Sequence, residues 1–202
     1  MLLKRRPYNL IFGGLLIGVV VIGALLSFVW LPVDPNAMNF GVQLSAPTGE
    51  NWLGADHFGR DLFSRVLVGA RGTLYVGFIA VGIALVLGTL FGAVAGFAGG
   101  VVDEVVMRLV DVLYAFPAIL MALLLAAVYR PGTLTAMTAI GIATVPIFAR
   151  IARASVLSIK EREYVEAGRA LGIGEGRLLL RHVLPGALSP LIVQASLSLA
   201  VA

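Results

Sequence analysis

The feature that most constrains this chain is a series of long runs without a charged residue. Leu10–Leu31 is the first and Thr73–Ala98 the second; Leu109–Tyr129 follows, broken only by Asp111 near its start. Thr133–Ala149 is shorter and extends to about Ile151, and Val183–Ala202 is the fifth. A helix rises about 1.5 Å per residue, so roughly 20 apolar residues cross about 30 Å of hydrocarbon. Strand-length alternation is missing, and helices are then the remaining way to satisfy the backbone in lipid. The composition agrees, at 59% hydrophobic and 13% charged with a mean hydropathy of +0.99. A soluble domain has about 45–50% apolar and about 25% charged residues, so disorder and an ordinary water-soluble enzyme are excluded. The reading is an all-α polytopic membrane protein with five transmembrane helices. The chain has no cysteine, which removes disulfides, thiolate metal sites and cysteine nucleophiles.

Lys4, Arg5 and Arg6 precede the first run. That run is about 22 residues long, beyond the roughly 7–15 of a signal peptide, and no small-x-small cleavage site closes it, so it reads as an anchor. With the N-terminus in the cytoplasm, the inner segments hold eleven Lys/Arg and the outer segments four. An excess of basic residues marks the cytoplasmic side. The expected organisation is a cytoplasmic N-terminus and first anchor over 1–31, an extracytoplasmic loop over 32–72, and a core over 73–202 with a cytoplasmic loop at 150–182. Five spans put Ala202 on the outer side without a polar flank, which reads as a chain cut short.

The second predicted helix carries small residues every four positions, Ala80, Ala84, Gly88, Gly92, Gly96 and Gly100. This spacing lets helix backbones approach closely, and Gly88, Gly92 and Gly96 are the candidate packing residues, with a close-packed partner subunit suggested. Pro117, Pro146, Pro185 and Pro190 predict kinks or helix starts. Asp111 reads as paired with Arg108, three residues away, or snorkelling, and not as a solute ligand. Trp52 and Phe58 suit an interface, His57 reads as structural, and His182 as meeting headgroups. No residues have metal-ligand spacing or form a catalytic pair.

The most informative stretch is 154–185. Ser155–Leu171 predicts one helix, with Leu157, Tyr164 and Leu171 on a shared face. Gly172, Gly174 and Gly176 break it; Glu175–His182 forms a second short helix, and Pro185 starts the last span. Such a helical knuckle suits insertion into a groove on another protein, or lies on headgroups as an amphipathic loop. The residues alone leave both readings open.

Glu166-Ala167-Gly168, Gly172 and Leu184-Pro185 resemble the EAA loop of bacterial ABC-importer permeases, with Gly168 in place of the second alanine and His182 in place of an isoleucine. The resemblance extends to Leu53–Asp56, Gly59–Arg65, Gly69–Arg71, Asp103–Arg108, Asp111–Pro117 and Arg162–Ala167. These segments are similar to the C-type permease of the dipeptide/oligopeptide/nickel branch over roughly residues 50–200. The resemblance implies a type I importer permease fold with six helices at full length, in a bacterial or archaeal inner membrane. The implied role is half of a translocation pathway for peptides or similar small solutes. The implied partners are a second permease in a heterodimer, two cytoplasmic ATPases, an extracytoplasmic solute-binding protein and membrane lipid, without nucleic acid. The resemblance further implies that Glu166 makes the polar contact with the ATPase, that Ala167 and Gly168 allow close docking, that Gly172 forms the turn, and that Leu184-Pro185 ties the loop to the fifth span.

A P-loop needs Gly-x-x-x-x-Gly-Lys-Ser/Thr. The two lysines, Lys4 and Lys160, stand in no such context, so if transport here is ATP-driven, ATP and magnesium belong to partner ATPases, and the chain is expected to bind no cofactor and to be non-catalytic. The competing readings are a channel or secondary carrier, which usually places acids or broken helices at the midplane, an intramembrane enzyme, and an inactive assembly fragment.

Overall fold

The apolar runs fold as helices. In the computed structural model, which describes residues 8–201, the order is α1 (Tyr8–Leu26), α2 (Leu62–Ala98), α3 (Gly100–Ala115), α4 (Ala118–Tyr129), α5 (Thr133–Lys160), α6 (Glu163–Ala170), α7 (Glu175–Leu178) and α8 (Leu184–Val201). A π-helical turn, Leu179–Val183, joins α7 to α8. Among the described residues there is no strand, only an isolated bridge between Ala55 and Asp61. Lys4, Arg5 and Arg6 lie outside the described residues. The chain divides into two compact units, Met1–Tyr75 and Val76–Ala202.

In the first unit the loop after α1 is ordered by its own polar groups. Asp61 caps α2: its Oδ2 accepts from the Ser64 amide at 2.8 Å, filling a donor that a helix start leaves unpaired. That cap starts α2 eleven residues before the apolar run at Thr73, and the helix reaches 37 residues. Trp52 packs between Trp30 and Phe63, with ring centroids 5.9 and 5.0 Å apart. His57 stacks on Phe58 at 4.3 Å.

In the second unit α2 and α5 run parallel at very short range. A Cβ built on Gly88 would lie 2.5 Å from the Phe148 Cβ, and one on Gly92 2.1 Å from the Ala149 carbonyl oxygen. At Gly96 the same atom would lie 2.9 Å from the Arg153 carbonyl oxygen. Each four-residue step on α2 meets a four-residue step on α5, so the glycine row is occupied within this chain. It therefore gives no reason to invoke a partner subunit there. Gly100, the last residue of the sequence stripe, falls outside α2 and opens α3.

The third apolar run is not a straight crossing. α3 and α4 meet at 88° around Phe116 and Pro117. Pro117 has no N–H to continue the ladder and pushes Phe116 into extended backbone, φ −83° and ψ 121°. The parallel run of α2 and α5 leaves this bent pair to make the return between them. α2, α5 and the continuous helix Glu175–Val201 are each long and apolar enough to cross a membrane, and α1 contributes the shorter apolar stretch Ile11–Leu26. A cavity of about 290 Å³ opens among Ala80, Thr144, Gln194 and Ser198 on α2, α5 and α8.

Candidate functional site

The knuckle at 150–185 is built differently from one helix and a turn. α5 ends at Lys160, Arg162 is extended (φ −79°, ψ 144°), and α6 starts at Glu163. The single helix expected over Ser155–Leu171 is thus two. The break turns Val165 inward, where it joins Val156, Ile159, Leu178, Val183 and Ala187 in one buried cluster. Burying a valine contributes about 1.5–3 kcal/mol, which an unbroken helix would forgo. The expected face of Leu157, Tyr164 and Leu171 is not the packed one: Tyr164 is 46% exposed and Leu171 83%. Val165 and Gly168 are the buried residues of α6. Val165 and Gly168 give a single spacing of three, too little to read as a period.

Gly168 gives Leu178 room: a Cβ there would approach Leu178 Cδ2 to 2.9 Å. α6 ends in a Schellman motif. The Gly172 amide donates to the Arg169 carbonyl at 3.0 Å and the Ile173 amide to the Gly168 carbonyl at 3.1 Å, with Gly172 at φ +78°. A side chain is disfavoured in that left-handed conformation, so glycine suits the position. Gly174 caps α7 with ordinary extended backbone and Gly176 lies within α7, so neither of them breaks the first helix. Across the turn, Arg169 Nε and Nη2 donate to Glu175 Oε1 and Oε2 at 2.8 and 3.2 Å. This hydrogen bond holds the guanidinium pKa above its usual value.

Glu166 and Ala167 lie on the exposed side of α6. The structure places them with Gly168 on one short helix, with Gly172 at its end. Leu184 is half-buried against the cluster that holds Val165, while Pro185 is exposed. Pro185 does not start the last span, because the helix runs without a break from Glu175 to Val201. The π turn is the adjustment: the Leu184 amide donates to the Leu179 carbonyl, five residues back, immediately before the proline that lacks a donor. His182 lies in that turn and is half-buried. Its Nδ1 is buried without a partner and its carbonyl accepts from Tyr164 Oη at 3.2 Å. Sequence reasoning missed Val165, Leu178, the Tyr164 bond and Gly186, which a Cβ would bring within 3.0 Å of Ile159.

Asp111 is paired across helices, not with Arg108. Its Oδ1 accepts from Arg150 Nη2 on α5 at 2.7 Å, and Arg150 lies 4.3 Å over the Tyr114 ring. Among the described residues no cluster of metal-ligating side chains is present. The carboxylate of Glu166 is thus exposed, beside a residue no larger than alanine, on a helix anchored from behind by Val165 and Gly168.

Residues 88–202 match the family model described as the binding-protein-dependent transport system inner membrane component. The chain is 44% identical over 155 residues to a dipeptide transport system permease protein of Alkalihalophilus pseudofirmus, covering 77% of this chain and 51% of that protein. It is 38% identical over 185 residues to a probable D,D-dipeptide transport system permease protein of Escherichia coli, covering 90% and 62%. It is 36% identical over 198 residues to an oligopeptide transport system permease protein of Bacillus subtilis, covering 98% and 65%. The chain thus spans about half to two-thirds of the length of these relatives.

Proposed function

Because the chain belongs to the family of inner membrane components of binding-protein-dependent transport systems, we propose that it is a permease subunit of an ATP-driven importer of peptides or similar small solutes. Two such permeases would enclose the pathway, and a solute-binding protein would deliver cargo from outside. The chain is a multi-pass inner-membrane protein, and in this reading its N-terminus and α6 face the cytoplasm. ATP and magnesium would be held by two separate ATPases, and α6 would dock in a groove on one of them.

The observation that supports this role is the division of α6 into two faces. Val165 and Gly168 tie it to α5 and α7, while Glu166 and Ala167 stay free. A push on the free face would therefore reach α5 and α8 through packed side chains, and interior packing transmits displacement because it is dense and little compressible.

The test is capture of the partner ATPases by membranes carrying this chain with its second permease. Glu166→Ala removes the exposed carboxylate, and Gly172→Leu disrupts the left-handed turn that ends α6. With membrane insertion unchanged, both variants are expected to lower capture at least about tenfold, the equivalent of roughly 1.4 kcal/mol in binding. Undiminished capture in both would overturn the docking role.

A further inference from the structure

α2 gives way to α3 through Gly99 and Gly100, at φ +67° and +53°. Two adjacent glycines in this region leave the angle between the helices unrestricted by side chains, so other contacts must fix it. Asp103, in the first turn of α3, receives two parallel bonds from Arg153 of α5. Nε donates to Oδ1 at 2.5 Å and Nη2 to Oδ2 at 2.6 Å. Lys160 Nζ donates to the Gly96 carbonyl at 2.8 Å, which lies in the last turn of α2 where carbonyls have no helical partner and a cation is favoured. Farther along α3, Asp111 holds Arg150. Arg150 and Arg153 both lie within about three turns of Lys160, where α5 passes to α6.

We propose that Asp103 and Arg153 are positioning residues that make α3 follow α5, so that displacement of α6 is carried to the bent α3–α4 pair and not absorbed at Gly99–Gly100. This inference rests on α6 being the ATPase-docking element. A bidentate guanidinium–carboxylate pair fixes orientation as well as distance. A lysine at 153 would keep the charge as a point and lose the fork. Arg153→Lys is therefore the discriminating variant, with Asp103→Asn beside it.

The chain has no cysteine, so with partner subunits freed of cysteine two spin labels can be placed without background at Val105→Cys on α3 and Leu188→Cys on α8, both exposed positions. Distances would be read by electron resonance in the importer assembled in lipid nanodiscs, with and without Mg-ATP. In the unmodified pair ATP is expected to shift the distance. Arg153→Lys and Asp103→Asn should abolish that shift while capturing the ATPases as before, and the exchange Asp103→Arg with Arg153→Asp should restore it. A shift that persists in both single variants, is absent from the unmodified protein, or is not restored by the exchange would overturn the proposal. Failure of the docking reading would show separately, as ATPase capture that Glu166→Ala and Gly172→Leu leave undiminished.

Discussion

The Asp56 carboxylate accepts from the Phe58 and Arg60 amides at 2.8 and 3.0 Å and from the Arg60 guanidinium at 2.8 Å, with Arg65 at 3.8 Å beyond. Partial burial alone would raise its pKa. The Arg60 and Phe58 amides and the Arg60 side chain outweigh burial and bring it from 3.8 to about 2. A carboxyl lowered on folding stabilises above its unfolded value and loses that contribution as pH falls through its folded value. The loop around Trp30 and Trp52 should therefore hold above about pH 4 and loosen toward about pH 2. Tryptophan fluorescence, which in this chain comes only from Trp30 and Trp52, reads the change directly. In Asp56→Asn the loosening should already be present at neutral pH; an unaltered pH profile in that variant would assign the loop's order elsewhere.

Helix α2 owes its fit against α5 to three missing side chains. Gly92→Leu would drive atoms into the Ala149 backbone, where a Cβ already has only 2.1 Å, at a cost of at least about 3 kcal/mol. Gly82→Leu, with nothing within 4 Å of its built Cβ, serves as the control and should melt close to the unmodified protein in detergent. The four-residue glycine spacing was legible because it is a backbone requirement written in residue type, and the apolar runs were legible for the same reason. The Gly172 turn was also readable, since left-handed backbone favours glycine. The break at Glu161–Arg162 was not, because helix formers occupy both sides and the decision lies with the distant cluster that receives Val165. The same holds for Asp111, whose neighbour in sequence is Arg108 while its partner in space is Arg150. Pro117 announced a disturbance, but an 88° bend and a mild kink begin from the same missing N–H.

Across the molecule, the basic residues argue for one orientation, and even without Lys4, Arg5 and Arg6 eight remain on the inner side against four. α2 and α5 run parallel and α8 returns along α5, Gly186 lying at Ile159 and Leu191 packing with Phe148. The proposed orientation would put residues 32–72 outside and α6 in the cytoplasm. Single cysteines at Glu50 and Ala170, both exposed, test it: an impermeant maleimide should label Glu50→Cys in intact cells and Ala170→Cys only after permeabilisation. Equal labelling of both in intact cells would reverse or abolish the assignment. The π turn bears on how a chain of this kind can change in length. The buried residues Leu178, Val183, Ala187 and Leu191 are spaced five, four and four apart, so one surplus residue is absorbed just ahead of Pro185. Deleting it would leave the buried stripe in phase but set the proline ring against a carbonyl of an ordinary α-helix. A one-residue gap between Leu178 and Val183 and the identity of residue 185 are therefore one heritable choice, to be altered together or not at all.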